Sequence, residues 1–394
     1  MSLPDCVTAA IRARSWPVYV YDLPDLITRA RTMVAALPAR CRLFYAMKAN
    51  SHPAVLAALA PIVAGFEIAS GGELAKAAGH PTIFNGPAKT DSEIADALSA
   101  GVEFLNAESP HDLDRISHVV GRLGVRPRVL LRLNAPSTVL RGTHQMAGTA
   151  TQFGMDSLPH TFPPHVDVAG LHLHAVSNNL DTAAHLQYVA QCLALARPMR
   201  VVNIGGGFGV DYSGAGAHFD WGSFTRGLHV LLAAHPDMEL ILEPGRLLTA
   251  ASGYYAAPVL DVKVTHGVAF AVLRGGSHHF RLPAAMRWSH PFVVLPVETW
   301  DYPFARPVLR DTRLTVVGEL CTTSDTLARD VPVSQIRPGD IIVFHLAGAY
   351  AWDISHHHFL SHPPPKIVTI RPQRDQNRDP ADNTPDNSEE HQSL

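Results

Sequence analysis

The chain has 394 residues, of which 46% are hydrophobic and 17% are charged, a balance typical of a soluble globular protein with more than one domain. The net charge of −3 and the lack of a basic block argue against nucleic acid as a partner. No apolar run approaches the roughly 20 residues of a membrane span, and the first residues do not read as a secretory signal. The four scattered cysteines favour neither a disulfide framework nor a zinc site, and we expect a cytoplasmic protein.

The first two-thirds of the chain repeat one unit, which is a short apolar run, a polar or glycine-containing turn and a helical stretch. Eight such units predict parallel strands with crossover helices that close into a (β/α)8 barrel. Polar or reactive residues stand at the end of each run, where a barrel of this kind builds its active site. The runs, each counted with the polar residues at its C-terminal end, span 43–50, 65–70, 82–87, 103–109, 129–134, 170–176, 201–207 and 240–246.

From residue 258 the pattern changes to shorter apolar runs separated by turn signals, which predict a mostly antiparallel β domain. The last segment is polar, contains proline and has almost no apolar residues, which predicts disorder. We therefore predict an α/β protein with an N-terminal (β/α)8 TIM-like barrel and a C-terminal antiparallel β domain. The predicted divisions are 1–257 for the barrel with an N-terminal segment, 258–372 for the β domain and 373–394 for the tail.

Lys48 directly follows the first predicted strand. A desolvated lysine loses part of its proton affinity, which suits it to imine formation, although a lysine at a strand end can also project into solvent. Gly205, Gly206 and Gly207 follow the seventh strand, where barrels often bind phosphate through backbone N–H groups. A plain tight turn is the alternative for this glycine run.

The eighth strand ends in Glu243 and Arg246. A carboxylate there can keep a pyridine nitrogen protonated, and the planar fork of the arginine suits a phosphate or a carboxylate. An ion pair between the two side chains is equally consistent with the sequence. His172 and His174 face the same side of the sixth strand, but no third metal ligand has a suitable spacing. We therefore expect no metal and favour stacking of His174 on a planar cofactor.

Taken together, these motifs resemble the fold-type III pyridoxal-phosphate decarboxylases, the group that contains diaminopimelate and ornithine decarboxylases. The motifs occur in the order found in that family and cover nearly the whole chain. They are YAMKAN, FEIASGGEL, NAES, QFGM, GLHLHAVS, NIGGGFG, EPGR, GELCTTSDTLARD and GAY.

The resemblance implies pyridoxal 5′-phosphate as the cofactor and decarboxylation of an amino acid as the reaction. Lys48 would hold the cofactor as a Schiff base, His174 would stack on its ring, and Glu243 would pair with the ring nitrogen. Arg246 is open between the phosphate and the substrate carboxylate. The residues that would surround these two groups are Ser177, Gly205, Gly206, Gly207, Arg246 and Tyr350.

The family is dimeric, which implies a homodimer with shared active sites. A lone cysteine such as Cys321 is more often a buried hydrophobe than a reactive thiol when it is judged alone. The resemblance implies instead that Cys321 reaches the active site of the other subunit and protonates the decarboxylated carbon. No nucleic acid and no membrane is expected as a partner.

The sequence departs from the family at a position that matters for specificity. The residue after the reactive cysteine is usually acidic and binds a distal ammonium of the substrate, but here it is Thr322. Loss of the acid removes the reason to expect a free diamino acid. Arg287, His290 and the histidines of 356–358 could instead meet a carboxylate-rich distal group, with ordinary surface histidines as the alternative.

Three motifs, HAVSNNLD, HHFRLPAAMRWSHP and ISHHHFLSHP, are similar to the siderophore-pathway branch of the family. This resemblance implies a small-molecule substrate that is a citrate-conjugated diamino acid, bound by Arg246, Arg287, His290, Thr322 and Tyr350. Three alternatives stay open. They are a diaminopimelate-type or other diamino-acid decarboxylase of primary metabolism, a fold-type III racemase, and a catalytically inactive homologue that binds a regulatory partner.

Overall fold

The computed structural model describes residues 2–14, 17–77, 79–135 and 139–372 of the chain. The predicted tail, 373–394, lies outside the described residues. Within the described ranges, no helix combines the length and the apolar composition that crossing a membrane requires.

The N-terminal segment and the barrel occupy the chain as far as residue 242. The segment consists of α1 (Asp5–Arg12), β1 (Val18–Asp22) and α2 (Leu23–Ala35). The strands that follow are β2 (Cys41–Ala46), β3 (Gly65–Ile68), β4 (Thr82–Phe84), β5 (Phe104–Ala107), β6 (Arg128–Arg132), β7 (His144–Gln145), β8 (Asp167–His172), β9 (Val176–Ser177), β10 (Val201–Asn203) and β11 (Glu239–Leu242). β7 and β9 form a short antiparallel ribbon.

Eight of these strands close into a parallel barrel within the described residues, in the order β10–β11–β2–β3–β4–β5–β6–β8. The prediction of a (β/α)8 barrel is thereby confirmed. Each strand ends two to four residues before the predicted end. The reason is that the predicted segments included the turns that leave the barrel, and these turns carry the polar residues of the rim.

Helices cover the outside of the barrel. Ser109 caps one of them by accepting the N–H of Asp112 at 3.0 Å, Pro110 takes its first position, and Gly124 ends it with a left-handed backbone. The helices are α3 (Pro53–Leu59), α4 (Gly71–Ala77), α5 (Asp91–Ser99), α6 (Pro110–Leu123), α7 (Thr182–Leu195), α8 (Trp221–Ala233) and α9 (Arg246–Thr249).

The interior of the barrel is a packed core. Alternate residues of a strand point to opposite faces, so one set points inward and the other packs under the helices. Each inward side chain of this size contributes roughly 1.5–3 kcal/mol through its burial. The inward cluster consists of the fully or almost fully buried Phe44, Ile83, Phe104, Leu130, Val201 and Ile241.

A second sheet follows the barrel. Its elements are β12 (Gly253–Thr265), β13 (Val268–Leu273), α10 (Arg281–Met286), β14 (Phe292–Leu295), β15 (Leu309–Val317), β16 (Thr326–Ile336), β17 (Ile341–Phe344) and β18 (Lys366–Ile370). Most neighbouring strands are antiparallel, which confirms the predicted fold class, while β13 pairs with β15 in parallel.

Strand β1 joins this second sheet rather than the barrel. It pairs antiparallel with β12 and parallel with β18, and Val7 and Ile11 of α1 pack on the same sheet. Strand β12 also runs across the predicted boundary at residue 257. The predicted domain limits stay a prediction, and these contacts attach α1 and β1 to the C-terminal sheet.

His185 of α7 links stability to pH. Its ring stacks on Phe208 at 4.5 Å between centroids, is fully buried, and has no hydrogen-bond partner for either nitrogen among the described residues. Burial lowers the pKa of His185 from about 6.5 to about 3. Below about pH 6.5, His185 binds a proton in the unfolded chain but stays neutral in the folded protein. The free energy of unfolding therefore falls as the pH is lowered from about 6.5 to about 3.

We expect the replacement His185→Phe to reduce this acid sensitivity, because the new ring packs in the same aromatic cluster and cannot be protonated. Between about pH 7 and pH 5, the wild type should lose about 2 kcal/mol more unfolding free energy than the variant. Urea denaturation at both pH values measures the difference, with the exposed His229→Phe as the control. Equal losses in wild type and His185→Phe would contradict the assignment.

Candidate active site

A cavity of about 430 Å³ opens at the C-terminal end of the barrel, a volume typical of a small-molecule site. Strand ends of the barrel form most of its wall, and Leu282, Met286 and Ile354 of the second sheet complete it. The cavity is also lined by eight of the nine predicted cofactor residues. These are Lys48, His174, Ser177, Gly206, Gly207, Glu243, Arg246 and Tyr350.

Lys48 lies on a single helical turn, Met47–Ala49, directly after β2. Its Nζ donates to the two carboxylate oxygens of Glu67 at 2.7 and 2.5 Å. The side chain is surrounded by protein but open to the cavity, with 46% of its surface accessible. Burial alone lowers the pKa of Lys48, but the charges of Glu67, Tyr350 and Glu243 outweigh it and raise the pKa above its ordinary value. Lys48 is therefore a cation held by Glu67.

Two carboxylates share the bottom of the cavity. Glu67 and Glu243 are 1% and 5% exposed, and the amide of Asn85 bridges them. Its Nδ2 lies 2.8 Å from Glu67 Oε1 and 3.2 Å from both oxygens of Glu243, which also accepts from Asn203 Nδ2 at 2.6 Å. Burial and then the charge of Glu67 raise the pKa of Glu243 to about 7. Glu243 can therefore gain or lose a proton near neutral pH.

The glycine run bends tightly under His174. Gly205 and Gly207 have φ angles of 66° and 90°, which favour glycine, and a Cβ on Gly206 would lie 2.5 Å from the carbonyl oxygen of Glu243. Gly205 N–H donates to Asn203 Oδ1 and Gly206 N–H donates to His174 Nδ1. Of the three glycine N–H groups, only that of Gly207 has no acceptor in the described part of the chain. The loop thus offers fewer free donors than the sequence predicted.

The two histidines of strand β8 and its extension both line the cavity. His174 Nδ1 accepts a hydrogen bond at 3.2 Å, and burial followed by the charges of Arg132 and Lys48 lowers its pKa, so the ring is neutral. His172 is 1% exposed, and neither of its nitrogens has a hydrogen-bond partner in the described structure. Its Nε2 lies 3.7 Å from Glu243. Among the described residues, no group of three or more potential ligands could hold a metal ion.

Arg246 and Tyr350 bring a cation and an aromatic ring to the wall. The Arg246 guanidinium lies 4.5 Å from the Tyr350 ring centre and donates to the Tyr212 hydroxyl at 3.0 Å. Within the described residues it has no carboxylate partner, so the ion pair with Glu243 considered above does not form. Tyr350 N–H donates to the carbonyl of Ala49 at 2.7 Å, which ties the second sheet to the Lys48 turn.

Besides Gly205, four predicted residues do not line the cavity of their own chain. Cys321, Thr322 and Arg287 are exposed on the second sheet. His290 is 1% exposed, and its Nε2 contacts the carbonyl of His345 at 2.8 Å. Burial lowers the pKa of His290 to about 3, so it is a neutral core residue rather than a cation ready for a substrate.

Sequence reasoning missed the side chains that hold Lys48 and Glu243 in place. Glu67, Asn85 and Asn203 were assigned no role, although they are the side chains that bind Lys48 and Glu243. One signal was available, because Glu67 is a charged residue in the middle of an otherwise apolar barrel strand, GFEI. Such a residue must face a polar partner inside the fold.

Comparisons with known proteins agree with this geometry. A family model described as pyridoxal-dependent decarboxylase, pyridoxal binding domain, matches residues 23–250. A 2-[(L-alanin-3-ylcarbamoyl)methyl]-2-hydroxybutanedioate decarboxylase of Staphylococcus aureus is 38% identical over 94% of this chain and 98% of its own length. A diaminopimelate decarboxylase of Deinococcus radiodurans is 32% identical over 89% of each chain. The crystal structure of diaminopimelate decarboxylase from Helicobacter pylori complexed with L-lysine matches with a TM-score of 0.78 and 25% identity, covering 93% of this chain and 94% of that one.

We expect Glu67→Gln to lower the pKa of Lys48, because the main charge that opposes its burial is removed. In cofactor-free protein, acylation of Lys48 at fixed pH should then increase about 10-fold, one decade for each pKa unit. Peptide mapping by mass spectrometry measures it, with the exposed Lys263 as the internal reference. The control variant is Asp91→Asn, whose carboxylate pairs with Arg115. Unchanged Lys48 acylation in Glu67→Gln would contradict the role given to Glu67.

Proposed function

The chain belongs to the family of pyridoxal-dependent decarboxylases, and from that premise we propose that it decarboxylates a diamino acid joined to citrate. Membership confirms the decarboxylase reaction and the pyridoxal phosphate cofactor that the motifs implied. The substrate, the roles of individual residues and the assembly are the parts that we propose.

The charge of the cavity wall is the observation that carries the substrate proposal. Among the described residues that line it, the carboxylates are Glu67 and Glu243, and both are engaged by Lys48, Asn85 or Asn203. A distal ammonium would thus find no free carboxylate, and an unpaired buried charge costs several kcal/mol. Arg246, which has no carboxylate partner in the described structure, offers positive charge instead.

The relative from Staphylococcus aureus supports the same substrate class. Its name describes an alanine unit whose carbon 3 is joined through an amide to a citrate skeleton. The distal half of such a molecule carries carboxylates and lacks an ammonium group. Diaminopimelate decarboxylases are also relatives, but diaminopimelate has an amino group at its distal end, for which the described lining offers no free carboxylate.

The residues of the cavity fit pyridoxal phosphate. A lysine projects into the space, a neutral histidine ring lines one wall, and the backbone of Gly206 and Gly207 reaches the cavity without side chains. Lys48 Nζ would hold the cofactor, His174 would lie against its ring, and Glu243 would face the ring nitrogen. The phosphate would be held by Gly207 N–H, Ser177 and Tyr350, beside the backbone of Gly205 and Gly206, and Arg246 would bind either this phosphate or a carboxylate of the substrate. When bound, pyridoxal phosphate supplies an electron sink for the pair released as carbon dioxide leaves.

The protein contributes proton control and orientation to this reaction. Glu67 is the nearest acceptor for the proton that Lys48 must lose before its amine can react. Glu243, whose pKa is raised to about 7 by burial and by Glu67, can keep a proton on a nitrogen that faces it. His174 keeps its ring in place because its Nδ1 is occupied by Gly206 N–H.

A homodimer with shared sites would explain the position of Cys321. The cysteine is exposed but its loop is well held, since Asp325 accepts from Ser277 N–H at 2.6 Å and from Leu320 N–H at 2.9 Å. It does not line the cavity of its own chain. In the proposed dimer the partner's Cys321 delivers a proton to the carbon that lost its carboxylate, with the partner's Thr322 and Arg287 near the distal group. All four cysteines are free thiols, which suits the cytoplasm that we propose.

We expect the citrate-conjugated diamino acid to be preferred over free 2,3-diaminopropionate, ornithine, lysine and diaminopimelate. The kcat/KM ratio should be about 100-fold or more, because a distal ammonium would be buried without a carboxylate. Product analysis by mass spectrometry across this panel measures it. Comparable kcat/KM for the conjugate and a free diamino acid would refute the substrate proposal and leave the family assignment standing.

We also expect two inactive variants, Lys48→Ala and Cys321→Ala, to restore activity when their subunits are mixed. A mixed dimer has one site with both native residues, so random exchange yields roughly a quarter of wild-type activity. Native mass spectrometry verifies the exchange. Cys6→Ala, which removes another exposed thiol, should stay active by itself. Verified exchange with background activity would exclude shared sites.

A further inference from the structure

Asn106 of β5 is a polar residue in the barrel interior that does not line the cavity. We propose that Asn106 is a positioning residue, which orients the amide of Asn85 so that its N–H groups face Glu67 and Glu243. This inference rests on the proposed function, in which Glu67 takes the proton of Lys48 and Glu243 faces the ring nitrogen of the cofactor.

The contacts of Asn106 define the direction of the Asn85 amide. Asn106 is fully buried, and its Nδ2 donates to Asn85 Oδ1. Asn85 Nδ2 is then left to the opposite side, where it donates to Glu67 at 2.8 Å and to Glu243 at 3.2 Å. In this chain of hydrogen bonds, Asn106 therefore donates to Asn85, and Asn85 donates to the two carboxylates.

A reversed Asn85 amide would oppose this arrangement at both ends. Its Oδ1 would face two carboxylates, and its NH2 would face the NH2 of Asn106. An amide has no charge of its own, so its direction depends on the partner groups at its two ends. Asn106 is the partner that can be changed without touching the cavity wall.

The direction of Asn85 matters because the two carboxylates repel each other in a buried space. Each N–H that they accept favours the charged form, and loss of such a bond raises a carboxyl pKa. The other titratable groups that face Glu243 are Glu67, Lys48 and His172. Removal of the Asn106 donor therefore raises the pKa of the Glu67–Glu243 pair. It also weakens the ion pair between Glu67 and Lys48.

The surroundings of Asn106 allow it to be replaced. Lys89 Nζ contacts its backbone carbonyl at 2.8 Å and Asp112 at 2.8 Å, and neither bond uses the Asn106 side chain. Asn106 Oδ1 has no partner in the described structure, so Asn106→Leu removes an unpaired acceptor together with the donor. Asn106→Asp keeps the shape but places an acceptor against Asn85 Oδ1 and adds a third buried carboxylate.

The test compares Asn106→Leu and Asn106→Asp with wild type in two measurements. Infrared difference spectra of cofactor-free protein between acid and neutral pH report protonation of the buried carboxyls, with Glu243→Gln assigning the signal. Steady-state kinetics of the loaded enzyme reports kcat and KM separately. Thr225→Val is the control, because it removes a buried hydroxyl that donates to Gly222 far from the carboxylates.

We expect the carboxyl titration to move up by about 1 pH unit in Asn106→Asp and by a smaller amount in Asn106→Leu. The kcat should fall about 10-fold in Asn106→Leu with KM within about twofold, since bonds to the cofactor region and not to the substrate are changed. Titrations of both folded variants that coincide with wild type would overturn the proposal. A shifted titration in an enzyme that decarboxylates no conjugate would refute the substrate proposal and not this one.

Discussion

Two carboxylates, Glu67 and Glu243, are buried side by side at the bottom of the cavity, and the polar structure around them follows from the need to stabilise that pair. Lys48 supplies the opposite charge, and Asn85 and Asn203 supply N–H donors. Without these partners the two charges would be protonated, because burial in a low-dielectric interior penalises the charged form. The same contacts raise the pKa of Glu243 to near neutrality and keep Lys48 a cation. The hydrogen bonds that stabilise the buried pair therefore also set the protonation of the two residues.

The second sheet and its loops are tied to the Lys48 turn and the residues that follow it by three hydrogen bonds. Tyr350 N–H donates to the Ala49 carbonyl, Asn50 Nδ2 donates to the Gly348 carbonyl at 3.1 Å, and Ser51 Oγ donates to Asp353 at 2.6 Å. These contacts make the position of Lys48 dependent on the docking of the two parts of the fold. They also bring the Tyr350 ring over Arg246, which neither part could do alone.

The charged residues of one chain account for binding of the cofactor and for decarboxylation. They account less fully for recognition of the distal group of the substrate. The barrel end holds a lysine, a neutral histidine and an arginine without a carboxylate partner in the described structure. The residues expected at the distal end divide into an exposed set and the buried His290. The exposed set does not line the cavity of its own chain, which agrees with the shared site that we propose.

The barrel and the residues at its rim could be predicted from the sequence, because strand and helix periodicities are local and parallel strands bring their C-terminal ends together. Lys48, His174, Glu243 and Arg246 were found in this way, each from its position after an apolar run. The tertiary structure alone decided which partners these residues have. Glu67 and Asn85 come from neighbouring strands, and their mutual distances depend on barrel register rather than on spacing in the chain. The pairing of β1 with β12, across more than 200 residues, and the burial of His290 were equally invisible, since both result from long-range packing that no local pattern encodes.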